Sequence, residues 1–313
     1  LFGCAFGRWD IRFATGQRQP ESLPDPFAPL PVCPPGMLQN ERGLPAKENE
    51  LPEGYPLPIA WSGVLAEDEG HTGDVVERVQ DALRVIWNDR ADSIEDGTCS
   101  QLGAKSLREY FRRSNGFFAD HLKRYTKSSR KAPIYWPLST TSGSYTLWVY
   151  YPCLTSQTLY TAINDFVEPK LKQVGADVTA LRNKGSARTR DDEKQFEALQ
   201  AFELKLIELR DTLLKLAPTY KPNHDDGVQI SAAPLWPLFR HKPWQKVLKD
   251  TWAKLEKGDY DWAHLAMNYW PERVREKCKT DKSLAIAHGL EDLYIEPEAK
   301  PKKARGKKNS EES

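Results

Sequence analysis

The chain has 313 residues and a formal net charge of +1, with 45 Lys and Arg against 44 Asp and Glu, so any attraction for a polyanion has to be local. No apolar run reaches the roughly 18 residues that cross a bilayer, and the opening lacks a basic stretch followed by a sustained apolar core. Neither a membrane span nor a secretory signal is expected.

The opening, LFGCAFGRWDIRFATG, begins on Leu1 rather than Met and reads as an element already under way. Phe2, Phe6, Trp9 and Phe13 recur at helical spacing and Gly16 makes a stop, which predicts a helix over 1–16. The chain is expected to be a piece of a longer soluble protein. Residues 17–60 hold eleven of the 23 prolines. Because proline fixes φ and withholds an amide donor, this is an extended connector, laid over a surface through Phe27, Leu30 and Val32.

A helical and β-hairpin module is expected over 61–152. Val75, Val79, Leu83 and Ile86 line one face of a helix over 74–87, with Asp74 and Glu77 at the spacing of a capping pair. Further helices are predicted at about 104–113 and 117–126, the latter ended by Pro133. Ile134–Leu138 and Tyr145–Tyr151, separated by a turn near Ser142–Gly143, read as a β-hairpin. The clearest periodicity comes next, over 153–218. Leu159, Ile163, Val167, Leu171, Val174, Val178 and Leu181 step by fours and threes, and after Asn183–Ser186 the pattern resumes from Phe196 to Leu216. It predicts a long antiparallel helical hairpin, kinked near Pro169 or Gly175 and closed by Pro218. Residues 219–294 are aromatic-rich, with short helices at 243–256 and 282–292, and the lysine-bearing tail 295–313 has nothing to bury. The fold class is α+β, predominantly helical, with a small antiparallel β-hairpin.

Charge is distributed in blocks. Lys105, Arg108, Arg112, Arg113, Lys123, Arg124, Lys127, Arg130 and Lys131 crowd the approach to the β-hairpin, opposed only by Glu109 and Asp120. Across 41–96 the balance reverses, with Glu67, Asp68, Glu69, Asp92, Glu95 and Asp96. Such asymmetry points to one face for nucleic acid and another for solvent or a basic neighbour; a helix with a solvated basic face is the alternative. Arg8 and Arg12 are weaker contact candidates. Tyr135, Trp136, Tyr145 and Trp148 could stack on an extruded base, although alternating strand aromatics are mostly core.

Catalytic patterns are absent. No phosphate-binding glycine loop, GxSxG elbow or HExxH is present. His224-Asp225-Asp226-Gly227 reads as a turn before a strand rather than a metal site. Cys4, Cys33, Cys99, Cys153 and Cys278 are scattered without CxxC spacing, as expected of reduced thiols in a cytoplasm.

Three segments carry a resemblance: GCAFGRWDIRFATG, LREYFRRSNGFFADHLKRYTKSSRKAPIYWPLSTTSGSYTLWVYY and HDDGVQI. In this order the chain resembles, over roughly residues 1–290, the C-terminal part of PglX-type proteins. These are large adenine-specific DNA methyltransferases of BREX phage-exclusion systems and related restriction-modification enzymes. The PIYWPLS…GSYTLW block is the most specific motif. The resemblance implies an S-adenosylmethionine site and an [N/D]PP[Y/F] catalytic motif in the parent protein, upstream of this chain. Neither occurs here: Cys33-Pro34-Pro35-Gly36 has no aromatic after its prolines. It also implies double-stranded DNA, the preceding methyltransferase and target-recognition regions and other defence-system subunits as partners. Two further readings stay open: a scaffold that docks a partner through the 157–216 hairpin, and an independent enzyme with an unrecognised site.

Overall fold

The computed structural model describes residues 1–19, 33, 36–127, 130–257, 267 and 270–296, without the side chain of Arg130. The chain divides into two compact units, Leu1–Ala253 and Lys254–Ser313. In the first, a three-stranded antiparallel sheet forms the centre: β1 Val64–Ala66, with β4 Tyr135–Ser139 and β5 Thr146–Tyr150 in the order β1-β5-β4. Tyr135 pairs with Tyr150 and Ser139 with Thr146, so the expected hairpin is present in register. All five β5 residues are buried, because the sheet is covered on both faces. β1, which pairs Leu65 with Trp148, has no counterpart among the expected elements; three residues are too few to show alternation.

The opening segment is not a helix. It makes two short 3₁₀ turns, Cys4–Phe6 and Ile11–Phe13. Gly7 between them is left-handed at φ 67°, and the Asp10 side chain starts the second turn by accepting from the Arg12 amide. Helical spacing of its aromatics therefore has another cause. Phe2 lies among Phe117, Tyr135 and Trp148 at ring distances of 4.3, 4.8 and 5.3 Å, while Trp9 stays exposed. Phe27, Leu30 and Val32 lie outside the described residues. From Gly36 to Ala60 the chain has turns, an isolated antiparallel bridge between Gln39 and Pro45 and one short 3₁₀ segment, Glu48–Glu50, with Leu38 and Leu57 buried.

Four helices follow β1: α1 Val75–Trp87, α2 Ala91–Gln101, α3 Leu107–Arg112 and α4 Phe117–Arg124. α2 is absent from the expected elements; it buries only Ala91 and Cys99, too little to leave a periodic signal. The capping pair expected at α1 is not made. Asp74 is buried and turns its carboxylate away from the helix, accepting from the Asp68 amide and the Arg108 guanidinium. After α4 the chain forms a two-stranded ribbon, β2 Thr126–Lys127 and β3 Arg130–Lys131, where the sequence predicts only a helix end.

The helical hairpin is built as expected, with one refinement at its base. A short α5, Thr158–Thr161, runs through a π-helical segment, Ala162–Val167, into α6, Glu168–Asn183. The irregularity sits just before Pro169, where a missing amide interrupts the ladder. α7, Arg190–Leu216, has 27 residues and is about 40 Å long. It is started by a capping box: the Thr189 hydroxyl accepts from the Asp192 amide and Asp192 accepts from the Thr189 amide. Val174, Val178 and Leu181 on α6 and Leu206, Leu209 and Leu213 on α7 are buried.

After the hairpin, His224–Asp226 forms a 3₁₀ turn that leads into α8, Val228–Ala232, not into a strand. α9 spans Lys242–Lys257. In the second unit, α10 Pro271–Cys278 and α11 Lys282–Ala287 bury Val274, Cys278, Leu284 and Ala285. The helix expected over 282–292 stops early at Gly289, φ 63°, and a 3₁₀ turn, Glu291–Leu293, comes after it. Of the tail, residues 297–313 lie outside the described residues. No helix among the described residues is long and apolar enough to cross a membrane.

Candidate nucleic-acid interface

The nine basic positions fall into two groups with different chemistry. α3 is capped by Ser106 and buries Leu107, Tyr110 and Phe111, which leaves Arg108 and Arg112, four residues apart, on a common flank. That flank meets the acidic residues around β1. Arg108 forks onto Asp74 at 2.6 and 3.2 Å. The Arg112 Nε lies 2.8 Å from Glu67, whose side chain is only 1% exposed. The Arg112 and Arg108 guanidinium groups favour the charged form of Glu67, but burial outweighs them and pushes its carboxyl up to about 7. Asp68 holds Lys170 of α6 at 2.5 Å. Arg113 donates to the Leu102 and Gly103 carbonyls at 2.8 Å each, closing the C-terminal end of α2. Thus part of the acidic block and part of the basic block are each other's partners. Arg108, Arg112 and Arg113 hold the module together.

The second group faces outward. α4 buries Phe118, His121 and Leu122 and carries Lys123 and Arg124 on its exposed side, at the end where the helix dipole favours cations. His121 anchors the chain beyond this helix. Its Nε2 accepts from the Ile134 and Tyr135 amides at 3.0 and 3.1 Å, and burial lowers its pKa to about 4. The β2–β3 ribbon therefore springs from a fixed base, with Thr126 opposite Lys131 and Lys127 opposite Arg130. Lys127 is exposed and Lys131 half-buried. Lys123 pairs with Asp120 at 3.2 Å, yet its side chain is 79% exposed, so the pair is weak. No carboxylate lies within 4 Å of Arg124, Lys127 or Lys131 among the described residues. Lys105 is exposed in the loop before α3, apart from the ribbon.

Arg12 is bound to buried Asp10 at 2.7 Å, and Arg8 lies over the Trp9 ring at 5.0 Å. Tyr135, Trp136, Tyr145 and Trp148 are all buried, which makes them core and removes them as stacking platforms. No group of three or more His, Cys, Asp or Glu side chains suited to a metal occurs among the described residues.

Two basic residues stand outside the candidates that the sequence suggests. Arg240 and His241 sit at the bend before α9 and line a cleft with Arg112, Ser114, Ser139 and Thr146. Their signal, the RHK run at 240–242, is short and lies in an aromatic segment far from the basic block. Arg240 donates to the Arg112 carbonyl at 3.2 Å, and its guanidinium occupies the place a side chain at Gly143 would take.

No family model matches the chain. It is similar to the adenine-specific methyltransferase BrxX of Escherichia coli O9:H4 (strain HS), at 25% identity over 192 residues, covering 53% of this chain. The chain matches 15% of that protein's length, a likeness to an adenine-specific methyltransferase that extends over about half of the present sequence.

Proposed function

We propose that this chain works within an adenine-specific DNA methyltransferase of the PglX type, as a C-terminal portion that holds the DNA backbone for a catalytic and S-adenosylmethionine-binding region located elsewhere in the protein. The observation that carries this reading is the 192-residue likeness to an adenine-specific methyltransferase. Support for the backbone-holding role comes from Lys123, Arg124, Lys127 and Lys131, which gather within nine residues on α4 and a projecting ribbon. An enzyme that modifies adenine in duplex DNA must extrude the base, and the deformed duplex needs a grip on its phosphates while other groups read sequence.

Four phosphate contacts give a slope of about −3.6 for log affinity against log salt, hence a loss of about 150-fold between about 50 and 200 mM salt. Fluorescence anisotropy of a labelled duplex, with the intact protein, tests this. The variant carrying Lys123→Glu, Arg124→Glu and Lys127→Glu is expected to abolish the salt-dependent binding with an unchanged melting temperature. Undiminished binding by that folded variant overturns the assignment.

A second reading has its own observation. Beside its buried stripe, α7 carries Leu204 and Leu214, 66% and 45% exposed, with half-buried Ile207 between them. This face suits a partner subunit. A complex that survives nuclease and high salt but is lost with Leu204→Asp and Leu214→Asp supports scaffolding over DNA binding.

A further inference from the structure

The cleft between the α3–α4 turn, the β4–β5 turn and the bend before α9 has features of a built anion seat. Arg240 has no carboxylate within 4 Å among the described residues, and its single hydrogen bond, to the Arg112 carbonyl, leaves most of its donors open. The His241 Nδ1 accepts from the Trp244 amide at 3.3 Å, which places the proton of the neutral ring on Nε2 as a donor. Burial and then the nearby Lys131 ammonium hold that ring below its ordinary pKa. The floor is polar: the Ser139 and Thr146 hydroxyls lie 3.0 Å apart. Room inside amounts to about 20 Å³, enough for a water or one phosphate oxygen and far too little for a base.

We infer that the cleft seats one non-bridging oxygen of a DNA backbone phosphate, with Arg240 as the charged contact and Arg112, Ser114 and His241 completing the donor set. The inference rests on the DNA-holding reading and adds to it a contact from Arg240, 128 residues beyond Arg112 in the chain. It also accounts for a glycine at 143. A side chain there would displace the Arg240 guanidinium, and φ 74° disfavours one in any case.

The test measures anisotropy of a fluorescein-labelled 20-base-pair duplex with the intact protein over a salt series. Arg240→Met is expected to weaken binding by about 3–10-fold and to reduce the magnitude of the salt slope by about 0.9, one phosphate contact, while Arg240→Lys keeps the slope. Wild-type binding with an unchanged slope in Arg240→Met overturns the cleft and leaves the ribbon reading standing. Absence of salt-dependent binding by the wild type overturns the ribbon reading and this one with it. A measurement free of any variant uses phenylglyoxal modification of Arg240, read by peptide mass spectrometry. Severalfold protection by the duplex supports the seat, and equal modification with and without duplex overturns it.

Discussion

At the scale of single residues, the ion pairs around β1 decide which cations are available. Asp74 has a fully buried side chain, and Arg108, 21% exposed, is its charge partner. Removing one member of such a pair strands the other in a low-dielectric site, so Arg108→Ala is expected to destabilise the protein by about 3 kcal/mol in urea titrations. The same substitution leaves the salt slope for DNA unchanged, in contrast to the ribbon residues. Two titrating groups set opposite pH dependences. Glu67 has its folded pKa raised from 4.5 to about 7, so its contribution is complete below 4.5 and is lost as pH rises through 7. His121 is lowered from 6.5 to about 4, so its contribution is present above 6.5 and is lost as pH falls through 4. Asp226, raised to about 7 mainly by burial, acts in the direction of Glu67. Urea midpoints measured from pH 5 to 8 are expected to decline in the wild type and to decline less in Glu67→Gln, which mimics the neutral acid. An identical decline in both refutes the role given to Glu67.

At the scale of elements, the helical hairpin is stabilised by one stripe and offers another. Leu209 is 1% exposed, within the buried stripe of α7. Leu209→Ala removes packed volume there and is expected to cost about 2–5 kcal/mol in denaturant unfolding. Leu204→Ala, on the open side of the same helix, is expected to stay within about 0.5 kcal/mol. A large effect of Leu204→Ala on the isolated protein means that the open stripe is covered within the chain, which counts against scaffolding. The ribbon and the hairpin differ in kind. The hairpin stands on apolar burial along its length, whereas the ribbon is only two residues per strand and depends on His121 at its base.

At the scale of the whole molecule, near-neutral charge conceals an internal cancellation. Acidic residues 67–74 lie against cations from α3 and α6, and this leaves a smaller basic surface on α4, the ribbon and the bend at Arg240. Much of the architecture was legible in the sequence. The β-hairpin, the α1 face of Val75, Val79 and Leu83, and both arms of the long hairpin arise from periods of two and 3.6, which any local stretch displays. The opening turns mimic a helix because Phe2 and Phe6 are spaced like one, while the Gly7 break is conformational. Among the candidate contacts, Lys123, Arg124 and Lys127 are exposed in the structure, as surface cations have to be, while Arg108 and Arg113 are turned to partners within the chain and Arg112, itself exposed, leans on buried Glu67. Composition and periodicity were enough to define which segments coil, which pair and where proline prevents both, since those outcomes depend on neighbours along the chain. Partnership between charges required the folded molecule: Asp74 and Arg108 stand 34 residues apart and Arg112 and Arg240 stand 128 apart. Coulomb forces act over distance in space, which a linear run of residues does not record.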